Sequence, residues 1–210
     1  MIELNDLKKE LIEYGHLCGV KNFTPGISGN LSARYNDKIL ITISGSANGY
    51  LSEKDFTLID FDGNIVSGFE DKKPSSEKML HVEFYKKRND VNYIFHVHSP
   101  YLSSFASASI ALDEPIMAEN VFYFGEIPLA KYALPSTKEL VDETAIYFDD
   151  YNAVLMANHG VIVGDVDIKS AYLKLELAES YAQVVLNTKI LGGAKLLSKK
   201  EVAEIRALKI

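Results

Sequence analysis

A largely antiparallel sheet with helices on its faces is the fold this sequence predicts, and three observations predict it. Strand-like and helix-like stretches are mixed along the chain without the strict strand–helix–strand rhythm that a parallel sheet requires. Two stretches read as hairpins: residues 31–35 and 38–43 around the turn Asn36-Asp37, and residues 56–60 and 65–66 around Asp62-Gly63-Asn64. The run 91–98 carries Tyr93, Ile94, Phe95 and Val97 across both of its faces, so it reads as a strand covered from both sides.

The chain of 210 residues is 47% apolar, enough to bury a full core, and no repeat or linker divides it; a single domain over residues 1–210 follows. A net charge of −7 argues against a nucleic-acid partner, because such proteins gather Lys and Arg on one surface. The lysines come in pairs, among them Lys72-Lys73, which read as solvated loop or helix faces. One cysteine, Cys18, leaves no intrachain disulfide and no paired-cysteine metal site, and it reads as a small buried residue. The first residues lack the basic-then-apolar order of a signal peptide. No apolar run approaches the roughly 20 residues that span a bilayer. A cytoplasmic protein without a membrane partner is the expectation.

In chain order, residues 5–18 read as an amphipathic helix with Leu7, Leu11, Ile12 and Tyr14 near one face, and His16 as a packing residue. Pro25, Gly26, Gly29 and Asn30 then supply turn chemistry before the first hairpin, and Ser44-Gly45-Ser46 closes it. Residues 51–55 form a helical turn capped by Ser52. Pro74-Ser75-Ser76 opens a helix with Glu77 in its first turn and Met79, Leu80, Phe84 and Tyr85 as its packed surface. Ser99-Pro100 stops the buried strand, and residues 101–109 form a Ser- and Ala-rich helix. Residues 116–129 are apolar without a clear period; Pro135-Ser136-Thr137 opens a helix to about residue 147. A short strand at 153–157 leads through Asn158-His159-Gly160 to residues 161–163. The longest helix, residues 167–191, is apolar nearly all round and stops at Gly192-Gly193, so it is buried or covered by another subunit. Residues 198–208 form a short charged helix.

The chemistry-bearing residues gather around two of these strands. Alternation sends His96 and His98 to one side of their strand and Val97 to the other. A His-x-His pair alone is often two polar residues on a solvated face. Here the flanks are apolar, and His159 and Glu77 complete a set of imidazoles and a carboxylate that suits zinc. His81 shares a helix face with Glu77, four residues earlier, and reads as a support or packing residue. The Ser/Gly turns and the helix start at Ser75-Ser76 can surround an anion with N–H groups and hydroxyls.

In this order and spacing, Gly29-Asn30-Leu31-Ser32-Ala33-Arg34, Ile43-Ser44-Gly45, Pro74-Ser75-Ser76-Glu77, His81, His96-Val97-His98-Ser99 and Asn158-His159-Gly160 resemble the zinc-dependent class II aldolase/adducin family. The resemblance runs from Gly26 to around Val185. It implies a three-layer α/β/α sandwich around a largely antiparallel sheet, and a homotetramer with sites at subunit interfaces. It implies one Zn²⁺ per subunit on His96, His98, His159 and Glu77, with Glu77 also moving protons once substrate displaces it. Asn30, Ser44, Gly45, Ser75 and Ser76 would hold a substrate phosphate in a mostly neutral pocket. Tyr123 falls where the family's trans tyrosine is found and would donate a proton to a neighbouring site, or else serve as aromatic packing at a subunit contact.

The implied function is cleavage of a ketose phosphate, such as L-fuculose 1-phosphate, to dihydroxyacetone phosphate and an aldehyde through a metal-stabilised enediolate. An imine route would need a desolvated lysine, and none stands alone in apolar sequence. The family's alternatives are a pentulose-phosphate 4-epimerase, which resembles this chain less because it carries Asp at the Glu77 position, a methylthioribulose-1-phosphate dehydratase, and an adducin-head-like module without chemistry.

Overall fold

The computed structural model describes residues 3–68 and 72–208; the ends of the 1–210 unit and residues 69–71 lie outside them. Among the described residues, eight strands build one sheet: β1 (Asn30–Tyr35), β2 (Lys38–Thr42), β3 (Phe56–Ile59), β4 (Ile65–Ser67), β5 (Tyr93–Val97), β6 (Leu129–Ala130), β7 (Ala153–Met156) and β8 (Gly160–Asp165). Their order is β4-β3-β2-β1-β5-β8-β7-β6, and only the short β6–β7 pairing is parallel. Seven helices accompany it: α1 (Leu4–Val20), α2 (Lys78–Lys87), α3 (Pro100–Ser107), α4 (Ala118–Tyr123), α5 (Lys138–Ala145), α6 (Ile168–Ile190) and α7 (Lys199–Arg206).

The period-two alternation of the strands divides the core into two layers. Leu31, Ala33, Phe95, Val97, Val161 and Val163 pack with α1, α3 and α6 on one face of the sheet. Ile39, Ile41, Ile94, Val154 and Ile162 pack with α2 and α5 on the other. The result is a three-layer α/β/α sandwich, as the sequence predicted. Asn30 and Ser32 alternate with Leu31 and Ala33, and His96 follows Ile94 by two residues, so all three polar side chains fall on the α2 face.

Local details differ from the sequence reading in instructive ways. Residues 75–77 form a turn rather than a first helical turn, and Glu77 is the N-cap of α2. Met79 is 38% exposed whereas Val82 is fully buried, so the packed face of α2 takes in Val82 with Leu80, Phe84 and Tyr85 and leaves Met79 out. His16 is exposed, with Nδ1 3.4 Å from the Gly49 carbonyl, since α1 turns that side away from the sheet. The ambiguous stretch 116–129 holds α4 and leads to β6, with a bridge from Leu112 to Ile127. In the turn before β3, Ser52 donates through both N and Oγ to the Asp55 carboxylate. On α6, Leu173 is 48% exposed, so within the chain the helix buries one side only. Cys18 is buried and unpaired, and burial pushes its thiol pKa up. No helix among the described residues is long and apolar enough to cross a membrane.

Candidate metal centre and substrate pocket

Two histidines of one strand end and a third from a distant turn converge where β5, β8 and α2 meet. His96 is on β5, His98 just beyond its end, and His159 in the tight turn between β7 and β8. Their ligand nitrogens all lie within 4.8 Å of one another. Two glycines permit the approach. A Cβ on Gly160 would sit 2.5 Å from the Val97 carbonyl oxygen and 2.7 Å from His98 Cδ2. A Cβ on Gly29, whose φ is +75°, would sit 2.4 Å from the His96 carbonyl oxygen.

Glu77 closes the fourth side. Its Oε2 is 3.1 Å from His96 Nε2, and its Oε1 is 3.2 Å from His159 Nε2. His98 Nε2 is 3.2 Å from His96 Nε2. Tetrahedral zinc with bonds of roughly 2.0–2.1 Å sets neighbouring donors about 3.3 Å apart. Each of the three separations is close to that spacing, the two Glu77 contacts being made by different carboxylate oxygens. Glu77 Oε1 is buried without a hydrogen-bond donor, an unfavourable arrangement that a cation among these groups would relieve. The residues present fit a divalent metal.

The electrostatics agree. Burial pushes the His98 pKa down to about 3, with the neighbouring His96 and His159 adding to it, and burial with His96 beside it pushes His159 to about 4. Both rings keep free lone pairs at neutral pH, as ligands must. Burial presses His96 toward neutrality too, but Glu77 beside it outweighs that and raises its pKa. Burial opposes ionisation of Glu77, yet His96, His159 and the Asn30 amide hold its carboxyl well below the usual range. His96 Nδ1 donates to the Val161 carbonyl at 3.0 Å, which aims Nε2 at the cluster.

The phosphate candidates meet only in part. A bridge between Ile43 and Pro74 sets the Ser44-Gly45 turn beside Ser75-Ser76. Ser44 and Gly45 line a hollow of about 550 Å³. Several of their groups are already engaged, however. The Ser44 N–H donates to Lys73 O and the Ser75 N–H to Thr42 O, while Ser75 Oγ accepts from the Glu77 N–H. Ser76 Oγ accepts from Ser136 Oγ at 2.8 Å and lines a separate cavity of about 410 Å³ between α2 and α5, whose wall includes Glu77. Asn30 holds Glu77 and His81 with its two polar atoms. Lys72 and Lys73, read from sequence as a solvated pair, line the Ser44-Gly45 hollow together with Asp55, which pairs with Lys72 at 3.5 Å, so charged groups of both signs stand in it. Tyr123 ends α4, is 50% exposed and stacks edge-on against Phe122, without a hydrogen bond to the histidines.

Two supports escaped the sequence reading. Ser32 bonds His81 and Tyr85, and its place two residues after Asn30 on a strand was the available signal. Glu179, buried on α6, accepts from Ser99 Oγ and from the N–H groups of Tyr101 and Leu102. A lone carboxylate beside Leu175, Ala178 and Ala182 on an apolar stripe was its signal.

Residues 9–186 match the family described as Class II Aldolase and Adducin N-terminal domain. A 5-deoxy-D-ribulose 1-phosphate aldolase from Bacillus thuringiensis serovar kurstaki is 34% identical over 201 residues, spanning 94% of this chain and 92% of that protein. A 3-oxo-tetronate 4-phosphate decarboxylase from Haemophilus influenzae is 31% identical over 206 residues, spanning 94% of this chain and 95% of that one. A solved L-fuculose 1-phosphate aldolase superposes with a TM-score of 0.90 at 30% identity, over 98% of this chain and 96% of the other.

Proposed function

The chain belongs to the class II aldolase and adducin family, and on that footing we propose that it is a zinc-dependent aldolase acting on a phosphorylated ketose such as L-fuculose 1-phosphate. It would release dihydroxyacetone phosphate and an aldehyde. The observation that carries the reading is Glu77: one carboxylate meets two of three clustered imidazoles at 3.1 and 3.2 Å and also lines a cavity of about 410 Å³. A purely structural ion pair would have no such opening.

Zinc held by His96, His98, His159 and Glu77 would supply Lewis-acid stabilisation of the negative charge that carbon–carbon cleavage leaves on the substrate oxygens. The chain's own groups do the rest. Glu77, once substrate takes its place, moves a proton between the substrate hydroxyl or carbon and its own carboxylate. Ser44, Gly45, Ser75 and Ser76, with Asn30 and the neighbouring Lys72-Lys73 pair, form the region proposed to orient the phosphate, drawing on N–H groups, hydroxyls and positive charge. Tyr123 is proposed to act at a neighbour's site in a cytoplasmic homotetramer. The relative named a decarboxylase favours one second reading, because loss of CO₂ from a phosphorylated 3-oxo acid leaves the same enediolate.

The test is a screen of the Zn²⁺-loaded protein against ketose 1-phosphates, ketose 5-phosphates and phosphorylated 3-oxo acids, with products identified by mass. Dihydroxyacetone phosphate plus an aldehyde supports the aldolase; CO₂ from the acids alone replaces it with the decarboxylase. Glu77→Gln should slow deuterium exchange into dihydroxyacetone phosphate by about 10²–10⁴-fold. Exchange at the wild-type rate would remove Glu77 from the proton path.

A further inference from the structure

Five side chains form a buried chain of hydrogen bonds that ends on Glu77. Tyr85 Oη lies 2.8 Å from Ser32 Oγ, and Ser32 Oγ 2.7 Å from His81 Nδ1. His81 Nε2 bonds Asn30 Oδ1, and Asn30 Nδ2 donates to Glu77 Oε2 at 3.1 Å. Ser32, His81 and Tyr85 are fully buried and Asn30 is 5% exposed, so water cannot replace a missing partner. We infer that His81 is a positioning residue for Glu77, acting by fixing the direction of the Asn30 amide. The inference rests on the reading of Glu77 as the proton-moving group.

The direction of every bond follows from donor and acceptor inventories. An ionised Glu77 only accepts, so Asn30 presents its NH₂ to the carboxylate. Its carbonyl oxygen then faces His81 and only accepts, so His81 donates from Nε2. Burial, reinforced by the charge of His96, presses the His81 pKa down to about 3, so the ring is neutral and carries one N–H. Nδ1 is therefore a lone pair, and Ser32 donates to it. Ser32 has then used its proton and accepts from Tyr85 at 2.8 Å, nearer than the alternative acceptor of Tyr85, the Asn92 carbonyl at 3.4 Å. No bond in the series can be reversed alone.

The opposite tautomer has a defined cost. With the proton on Nδ1, His81 would accept at Nε2, and Asn30 would turn its NH₂ toward the ring. The amide oxygen would then face the Glu77 carboxylate across about 3 Å, acceptor against acceptor, which leaves a buried polar pair unsatisfied. Glu77 would be driven away from His96. His81 thus decides whether the carboxylate is held in line with the histidines. A packing role would be served by any apolar side chain of similar volume, without the expense of burying five polar groups. The same bonds occupy both polar atoms of Asn30, so this residue serves Glu77 first.

Selective ¹⁵N-histidine labelling of the Zn²⁺-loaded protein reads the tautomer directly. His81 should show a single N–H at Nε2 that exchanges slowly with solvent. A proton on Nδ1 overturns the inference. Ser32→Ala removes the donor to Nδ1 together with an acceptor for Tyr85, which keeps the Asn92 carbonyl; it should mix the tautomers and lower kcat about 10-fold, with KM for the phosphorylated ketose and metal content unchanged. His81→Phe should lower kcat about 100-fold, and His81→Gln, which keeps an NH₂ for Asn30, should restore most of it. Wild-type kcat in folded Ser32→Ala or His81→Phe, or loss of metal from both, would overturn the positioning role. Should His81→Phe fail to fold, Ser32→Ala carries the test. A wild-type protein that cleaves no phosphorylated ketose defeats the aldolase reading alone, and the tautomer of His81 in that protein still decides the polarity.

Discussion

At the scale of single residues, the site turns on a carboxylate surrounded by competing demands. Glu77, proposed both as metal ligand and as free base, is attracted by His96 and His159 from one side and by the Asn30 amide from another. Each attraction favours the charged form, so the carboxylate stays ionised although it is largely buried. His96 is the member of the cluster most firmly placed, being fully buried and bonded through Nδ1 to Val161. His96→Ala should therefore abolish metal retention: wild type should keep close to one equivalent of zinc through dialysis and the variant almost none, by elemental analysis. Full metal content in the variant would refute the ligand assignment. The sequence showed the ligand types and their spacing, because an imidazole pair two apart on a strand shares a face by geometry. It did not show Asn30 as the partner of Glu77, because that contact joins residues 47 apart in the chain.

At the scale of elements, Glu179 links two helices to the histidine strand. Three donors converge on its carboxylate: Ser99 Oγ at 2.7 Å, Tyr101 N at 2.8 Å and Leu102 N at 2.9 Å. The last two are orphan N–H groups of the first turn of α3, and Ser99 follows His98 directly, so α6 anchors the segment that aims His98. Glu179→Gln offers one acceptor oxygen where two serve now, and turns an NH₂ toward donors. Charge-assisted bonds of this kind contribute about 1.5–3 kcal/mol each. A loss near ~2 kcal/mol, or a fall in Tm of about 4–8 °C, is expected by calorimetry. Zinc affinity should fall about 10-fold in the same variant. An unchanged Tm would show that the contact contributes nothing net. Helix α6 was legible as a long apolar helix, yet the purpose of its one buried acid became visible only when α3 was laid against it.

At the scale of the whole molecule, the proposed homotetramer can be tested through Tyr123. Tyr123 is half exposed and makes no hydrogen bond to the histidines of its own chain. Tyr123→Phe keeps the ring and deletes the hydroxyl. If the phenol serves a neighbouring site, sedimentation should find the oligomer intact while kcat falls at least about 10-fold. Unchanged kcat would leave Tyr123 as packing, and a monomeric wild type would remove the shared site altogether.

The sequence alone determined the layers of this protein and the chemical types at its centre. Strand alternation and helix spacing are local properties, so a period of two placed His96 and His98 on one side of their strand, and a separation of four residues set Glu77 and His81 on one helix face. Tertiary structure decided what local periodicity cannot encode: which faces meet, and at what register. It set Asn30 opposite His96 across β1 and β5, brought Ser136 to Ser76, and carried the Lys72-Lys73 pair to the Ser44-Gly45 hollow. It also decided the direction of the hydrogen bonds reaching Glu77, because a donor's orientation is fixed only when every buried partner is present.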